Sequence, residues 1–356
     1  MRVMKRCISM LLALVLIVSA VGCAQAPAED VEEPDVSEEE TAQNEEEQQE
    51  EKSQETVNIY PEFVLENTES HVTYLDSRGE EVTVAKKPEK TIILLNSILD
   101  LWYMAGGEAI ARCDGTMNVP DKAVEIVTLG KFNAISIEKL IELQPDLVVV
   151  SSTISSQMEM EDILRDSGID FAPIDLSESP YESFSKNLFL FSRILGTEEK
   201  YLEEINPITE GVEEIINKIK KIEEKPSAIV LFTSPRSVKC ELPSSLTGEM
   251  IDLLGVENIA ADAQIEGANK VDFSLEILVE RDPDFIFVTT MGDVNECKER
   301  IEKDIKSNEA WNSLAAVKEN RVHYLPKDLY LYKPNSRYVE AFEGLVEIVY
   351  PEVLNN

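Results

Sequence analysis

The pattern of apolar and polar positions predicts alternating helices and buried strands along most of the chain. The clearest example occurs twice, as SIEKLIELQPDLVVV at 136–150 and as SLEILVERDPDFIFV at 274–288. In each copy, apolar residues at helical spacing precede a proline, and a continuous apolar run follows it. This order is typical of an amphipathic helix that the proline ends, and then of a strand buried on both faces of a parallel sheet.

The two copies indicate two α/β lobes of the same kind. Seven of their fifteen positions are identical, and the spacing of 138 residues is too long for a solenoid repeat and suits a whole lobe. We expect an N-terminal lobe over 71–196 and a C-terminal lobe over 225–356, each long enough to bury a core. The charged segment 197–224 between them predicts one long connecting helix.

Each copy begins with a serine and carries a glutamate two residues later. Ser136 and Ser274 are good N-cap residues. Glu138 and Glu276 then fall in the first turn, where the helix dipole favours a carboxylate. On this reasoning alone, both glutamates are surface partners of a helix dipole.

The N-terminus has the composition of a signal peptide. Basic residues at 2, 5 and 6 precede the apolar run 8–19, and the small residues AVG lead to Cys23. The apolar run is shorter than the ~20 residues that a membrane-spanning helix needs. We therefore interpret 1–22 as a cleaved signal peptide. The small residues before Cys23 resemble a bacterial lipobox, which implies lipidation of Cys23.

Residues 24–56 differ in composition from the rest of the chain. They hold fourteen acidic residues and one lysine, which predicts that 23–56 is a lipidated cysteine followed by a disordered tether. With −13 on the tether and +3 on the signal region, the formal net charge of −36 leaves −26 on 57–356. Such a negative surface argues against nucleic acid as a partner and against direct adhesion to anionic lipid.

Three cysteines remain after the signal region, Cys113, Cys240 and Cys297. An odd number at wide spacing does not form a disulfide framework, so at least one thiol should be free, and small buried thiols are the favoured interpretation. The chain has only two histidines and no CxxC, so we predict no metal site made by the protein alone.

Several motifs in a fixed order resemble the substrate-binding lipoproteins of ABC importers, in the family that carries iron–siderophores, haem and cobalamin. They are DSRGEEVTVAKKPEKTIILL, GKFNAISIEKLIELQPDLVVVSS, TGEMIDLLGVENIA, DFSLEILVERDPDFIFV, WNSLAAVKENRVHYL and VYPE. The resemblance implies a class III binding protein with two Rossmann-like lobes, one connecting helix and a ligand cleft. It also implies a monomer, lipid-anchored on the outer face of the cell membrane, that works with a permease and its ATPase.

The same resemblance gives the paired glutamates a second interpretation. In the family, one surface glutamate of each lobe meets arginines of the permease, and these positions fall on Glu138 and Glu276. Two matched carboxylates suit a pseudo-symmetric partner with two arginine pockets.

The cleft should be lined by loops that follow the carboxyl ends of the strands. Cations and aromatic rings in those loops suit a large, anionic, partly flat ligand. Our candidate contacts are Lys131, Arg236, Tyr330, Tyr332, Arg337, Asn96 and Trp102. For Trp102 a core position is the alternative, because Leu99 and Leu101 lie beside it on a predicted helix.

The expected ligand is a metal that arrives already chelated. Relatives that bind a bare metal ion use several histidines, whereas this chain has two. An iron–siderophore is favoured, with haem or a corrinoid as alternatives, and no resident cofactor is expected. An enzyme is disfavoured because GxSxG, P-loop and GxGxxG motifs are missing, so we assign no catalytic residue. A surface sensor or adhesion protein with the same fold remains the other alternative.

The anchoring hypothesis rests on Cys23 and predicts a simple biochemical change. In a Cys23→Ser variant, the protein should be released from membranes or remain unprocessed, because the acylated thiol is lost. Membrane fractionation and mass spectrometry of the mature N-terminus measure both effects. A variant that stays membrane-bound and is trimmed normally would rule out lipidation at this residue.

Overall fold

A computed structural model describes residues 58–177, 179–263, 265 and 267–354. The predicted signal peptide at 1–22 and the lipidated Cys23 and tether at 23–56 lie outside these residues. The secondary structure follows the predicted alternation of helices and strands over both lobes.

The N-terminal lobe combines an antiparallel sheet with a five-stranded parallel sheet. Its strands are β1 Val64–Asn67, β2 His71–Leu75, β3 Glu81–Ala85, β4 Thr91–Ile93, β5 Ala111–Arg112, β6 Val127–Thr128, β7 Gly130–Lys131, β8 Ala134–Ile135, β9 Leu147–Ser151 and β10 Asp170–Ile174. Its helices are α1 Asn96–Met104, α2 Ile137–Glu142, α3 Ser155–Met158, α4 Glu161–Asp166 and α5 Pro180–Leu195. The parallel sheet has the order β10-β9-β4-β5-β6.

The C-terminal lobe follows the connecting helix α6, Glu198–Ile219. Its strands are β11 Ser227–Thr233, β12 Val238–Glu241, β13 Glu257–Asn258, β14 Lys270–Asp272, β15 Phe285–Thr290 and β16 Val322–Tyr324. Its helices are α7 Leu246–Leu253, α8 Leu275–Arg281, α9 Val294–Ile301, α10 Ala315–Lys318, α11 Lys327–Tyr330, α12 Tyr338–Val349 and α13 Pro351–Leu354. In its sheet, of order β14-β12-β11-β15-β16, β12 pairs antiparallel with both of its neighbours.

Two boundaries differ from the sequence prediction. Strand β1 pairs with β2 and lies before residue 71, so the N-terminal lobe begins earlier than predicted. The connecting helix ends at Ile219 rather than at 224. Both differences come from short segments in which polar residues hide the pattern, since three of the four β1 residues are exposed.

Alternate residues of strand β9 face two different cores. Val148 and Val150 pack in a cluster confined to the N-terminal lobe, whereas Leu147 and Val149 belong to a second, larger cluster. Successive side chains of a strand point to opposite faces, so a strand buried on both faces contributes to two layers.

Strand β15 repeats this arrangement in the C-terminal lobe. Ile286 and Val288 pack in a cluster of that lobe, whereas Phe285 and Phe287 join the same larger cluster that Leu147 and Val149 enter. Each lobe therefore has a cluster of its own and also contributes to the larger one. The described residues form one shared core that reaches the inner faces of both sheets, with a separate cluster behind each sheet.

The connecting helix α6 carries the shared core from one lobe to the other. Its apolar side chains recur at helical spacing and are buried, and the set is Tyr201, Ile205, Ile208, Val212, Ile215 and Ile219. Helices α5 and α12 pack against it. Helix α6 is thus amphipathic, with its apolar stripe covered by helices of both lobes.

Polar contacts lock the start of α5 to the C-terminal lobe. The backbone N–H of Tyr181 donates to a carboxylate oxygen of Glu249 on α7 (2.8 Å), and the Tyr338 hydroxyl donates to the Pro180 carbonyl (3.0 Å). The first N–H groups of a helix have no partner inside the helix, so a carboxylate there is favoured by both hydrogen bonding and the dipole. Here the capping group comes from the opposite lobe.

Candidate functional site: a cleft between the lobes

A cavity of about 950 Å³ lies between the two lobes, at the edge of the N-terminal sheet where the parallel strands β9 and β10 end. Both lobes line it, with Thr153, Asp175 and Ser177 from the N-terminal lobe and Lys239, Ser244, Ile265, Gly267, Ala268, Asn269 and Lys270 from the C-terminal lobe. Ligands of open α/β sheets bind at this edge. The volume is at the upper end of the range for small-molecule sites, about 300–1,000 Å³.

The wall from the N-terminal lobe is built around Asp175, which directly follows strand β10. One carboxylate oxygen of Asp175 accepts hydrogen bonds from the Ser177 backbone N–H (2.7 Å) and hydroxyl (2.6 Å). Its carbonyl accepts a hydrogen bond from the Asn187 amide (3.0 Å). These bonds hold the Asp175 carboxylate in one orientation at the carboxyl end of strand β10.

The wall from the C-terminal lobe carries two lysines on paired strands. Lys239 lies on β12 and Lys270 on β14, two antiparallel neighbours. The ammonium of Lys270 lies over the ring of Phe232, 4.9 Å from its centroid. Lys239 is 3.7 Å from the carboxylate of Asp272, which is almost fully exposed. An exposed pair of this kind neutralises little charge, so Lys239 remains available to a ligand.

A third lysine, Lys333, was missed by the sequence reasoning. Its carbonyl accepts a hydrogen bond from the side-chain amide of Asn118 in the opposite lobe (2.6 Å). The residue is half-buried, and desolvation lowers the pKa of its ammonium to about 8, while attraction to Glu249 opposes that shift. An indication of this residue was present in the sequence, since Lys333 lies between the candidate Tyr332 and Pro334, which restricts the backbone of the loop.

Glu249 is the acid coupled to this lysine. Burial raises the pKa of Glu249 to about 7, whereas the hydrogen bond from Tyr181 and the charge of Lys333 act in the opposite direction. The capping contact between the lobes and the Lys333 ammonium thus belong to one electrostatic cluster.

Three candidate contacts are core or structural residues and do not reach the cleft. Trp102 is fully buried and donates to the Glu108 carbonyl (3.1 Å), and Tyr330 is buried and donates to the Ala341 carbonyl (2.8 Å). Asn96 is buried, and its amide donates to the Asp114 carbonyl (3.3 Å). Trp102 thus occupies the core position that its place beside Leu99 and Leu101 indicated, and the Tyr330 ring packs in the same core cluster.

The four other candidates lie outside the described lining of the cavity. Arg337 is exposed and pairs with Asp328 (2.8 Å) and Glu340 (2.6 Å), so its charge is already neutralised at the surface. Lys131 is exposed at the end of strand β7, Arg236 is exposed in the bend between β11 and β12, and Tyr332 is half-buried beside Lys333. A ligand role for Lys131, Arg236 and Tyr332 stays a prediction.

The paired glutamates occupy matched positions in the structure. Glu138 on α2 and Glu276 on α8 are both exposed in a first turn. The Ser274 hydroxyl accepts the Ile277 N–H (3.4 Å), as predicted for an N-cap, but the Ser136 side chain makes no such bond. Neither glutamate lines the cleft in the described part of the chain.

Cys113, Cys240 and Cys297 are free, buried thiols, as predicted. Among the residues that the structure describes, no group of three or more His, Cys, Asp or Glu side chains is placed to hold a metal ion. Within the same ranges, no helix is both long and apolar enough to cross a bilayer.

Comparison with known proteins agrees with this architecture. The sequence profile of a family described as periplasmic binding protein matches residues 92–329. The uncharacterized ABC transporter substrate-binding lipoprotein YvrC of Bacillus subtilis is 26% identical over 285 residues, which cover 79% of this chain and 86% of YvrC.

Solved structures show the same fold. Staphylococcus aureus IsdE, complexed with heme, has a TM-score of 0.64 at 19% identity, covering 73% of this chain and 98% of IsdE. The periplasmic catecholate-siderophore binding protein VctP of Vibrio cholerae has a TM-score of 0.62 at 17% identity, covering 79% of this chain and 99% of VctP. The fold is that of class III substrate-binding proteins.

The coupling of Lys333 to Glu249 predicts a measurable titration. The Lys333 ammonium should titrate near pH 8, below its ordinary value of 10.5, because desolvation penalises the charged form. In a Glu249→Gln variant its pKa should fall further, since the attracting carboxylate is gone while the amide oxygen still accepts the Tyr181 N–H. NMR of ¹³C-methylated lysines measures both values, with Lys333→Arg to assign the signal. A Lys333 signal that titrates near 10.5, or that is unmoved in the variant, would contradict the coupling.

Proposed function

We propose that this chain, which belongs to the periplasmic binding protein family, captures an anionic iron chelate in its cleft and delivers it to the permease of an ABC importer. Proteins of this kind bind and hand over a ligand without chemical conversion, so the chain is a binding protein and not an enzyme. The observation that carries the proposal is the large cavity between the lobes with its lysine side chains.

The local charge of the cleft supports an anionic ligand. The described part of the chain belongs to a region of formal charge −26, yet the described lining contains two lysines, Lys239 and Lys270, against one acid, Asp175. Lys333 lies outside that lining, and its electrostatic neighbours include the acids Glu249, Asp175 and Glu241 as well as Lys270. Cations concentrated in a cleft of an acidic protein draw an anion to that cleft and away from the rest of the surface.

The hydrogen-bond donors that line the cleft favour a siderophore chelate over haem as the ligand. Lysine side chains, which the described lining supplies, suit the carboxylate, hydroxamate or catecholate oxygens of a chelate. Haem binding proteins hold the iron through an axial His, Cys, Met or Tyr side chain. The described lining of the cavity holds none of these four residue types. A protein solved in complex with heme and a catecholate-siderophore binding protein share this fold, so the comparisons do not decide between the two ligands.

The outer surface supports delivery to a permease. Glu138 and Glu276 stand exposed at equivalent positions of the two lobes, outside the described lining of the cleft. A protein that only senses or adheres has no need of two matched carboxylates facing a two-fold partner. The lipid anchor at Cys23, which would hold the chain near such a permease, is in line with a relative named as a lipoprotein.

The proposal separates ligand capture from delivery, and two sets of variants test it. Lys239→Ala with Lys270→Ala should weaken binding of a ferric tris-catecholate, measured by fluorescence or calorimetry on the purified chain, by at least about ten-fold, as expected for loss of charge-assisted hydrogen bonds. Glu138→Ala with Glu276→Ala should leave that affinity unchanged and strongly reduce uptake of the ⁵⁵Fe-labelled chelate by cells. An exposed ion pair contributes about 1 kcal/mol or less, but truncating a desolvated interface pair costs about 2–5 kcal/mol.

A control removes the same charge elsewhere on the two lobes. Glu142→Ala with Glu299→Ala changes exposed helix positions and should leave both binding and uptake at wild-type levels. Normal uptake by the Glu138 and Glu276 double variant would return both residues to a helix-dipole role and favour the sensor alternative. Unchanged chelate affinity in the lysine variant would place the ligand elsewhere.

A further inference from the structure

The two repeats differ at the exposed position that follows each paired glutamate. The N-terminal lobe has Lys139 there, and the C-terminal lobe has Ile277. Both side chains are exposed, and Ile277 keeps 52% of its surface open to solvent. A single exposed aliphatic side chain needs no partner by itself, so the significance of Ile277 depends on what lies beside it.

Beside Ile277 lies a cavity of about 270 Å³ that is separate from the ligand cleft. Its floor is apolar and includes Ile229, Cys240 and Ile259, all buried. Helix α8 forms one wall, through Ile277, Glu280 and Arg281. The cavity therefore opens next to the exposed Glu276, on the surface that presents this glutamate rather than between the lobes.

The rim of this cavity is acidic. Asp262, Asp272 and Glu280 contribute carboxylates, against the single cation Arg281, which is paired with Asp262. Asp262 and Asp272 are mostly exposed. An apolar floor inside an acidic rim is complementary to an aliphatic side chain flanked by basic residues.

We propose that the cavity beside Ile277 receives an aliphatic side chain from the permease segment whose arginine pairs with Glu276. The proposal rests on the proposed delivery function and specifies the partner at one lobe. Burial of one aliphatic side chain together with Ile277 adds hydrophobic contact to an ion pair that is weak when exposed. A second copy of this chain is the other conceivable occupant, but its own surface is as acidic as the rim.

The difference between the lobes sets the orientation of docking. A pseudo-symmetric permease offers two similar arginine sites, and two matched glutamates alone would fit them in either of two orientations. Lys139 has a charged, hydrated side chain, whereas Ile277 and its cavity offer an apolar anchor. The C-terminal lobe therefore binds the permease site that presents an aliphatic side chain. In the reverse orientation, that aliphatic side chain would lie against Lys139 of the N-terminal lobe.

Filling the cavity tests the proposal without touching Glu276. Ala263 lines the cavity and is exposed, so Ala263→Phe should fill it with little effect on stability, whereas Ala261→Phe in the same short turn, outside the described lining, is the matched control. In cells making the full chain, uptake of ⁵⁵Fe-labelled tris-catecholate should fall roughly ten-fold for Ala263→Phe and remain unchanged for Ala261→Phe. Chelate affinity and thermal stability of both purified variants should match the wild type.

A photo-crosslinking amino acid in place of Ile277 identifies the occupant. The expected product joins this chain to the permease, at a segment with an aliphatic residue next to an arginine or lysine. A product with a second copy of this chain would overturn the proposal. Normal uptake by Ala263→Phe alongside impaired uptake by Glu276→Ala would overturn the cavity assignment while leaving the delivery function intact. Normal uptake by both would overturn the delivery function as well.

Discussion

The structure depends on one hydrophobic core that the two lobes share. Inner-face residues of both parallel sheets, such as Val149 and Phe287, belong to the same buried cluster, and helix α6 carries that cluster between them. Separating the lobes would expose this cluster to water at a cost of about 25 cal/mol for each Å² of apolar surface. The relative position of the lobes is thus fixed by burial and by the single long helix. Flexible crossing strands have no part in fixing it.

A fixed junction explains how the cleft is prepared for its ligand. Because Glu249 of one lobe caps a helix of the other, and the Asn118 amide donates to the Lys333 carbonyl of the opposite lobe, the two walls of the cleft are held in position before any ligand arrives. A site formed in advance avoids the entropic cost of ordering its groups during binding.

The sequence was most informative where the pattern was long and regular. The repeated helix, proline and strand predicted α2, β9, α8 and β15, and the charged segment before residue 225 predicted the connecting helix. Short elements such as β1 and the antiparallel pair β12 and β14 carry too few residues for periodicity to show. The sequence therefore did not single out the lysines of β12 and β14, which the strand pairing places on one wall of the cleft.

The candidate site was harder to predict because exposure depends on tertiary packing. Tyr330 and Tyr332 are two residues apart and look equivalent in sequence, yet Tyr330 is buried against α12 and Tyr332 is half exposed. Arg337 looked like a ligand contact, but acids three residues later and nine residues earlier neutralise it. The single shared core also could not be foreseen, since a strand buried on both faces does not reveal which elements cover each face.

The shared core is tested most directly by unfolding, because the chain has one tryptophan in each lobe, Trp102 and Trp311. Two single-tryptophan variants, Trp102→Phe and Trp311→Phe, report on one lobe each during urea denaturation, with circular dichroism as the global probe. The shared core predicts that, within each variant, fluorescence and circular dichroism follow the same single transition. Separate midpoints for the two probes in either variant would show that the lobes unfold independently and would contradict the account.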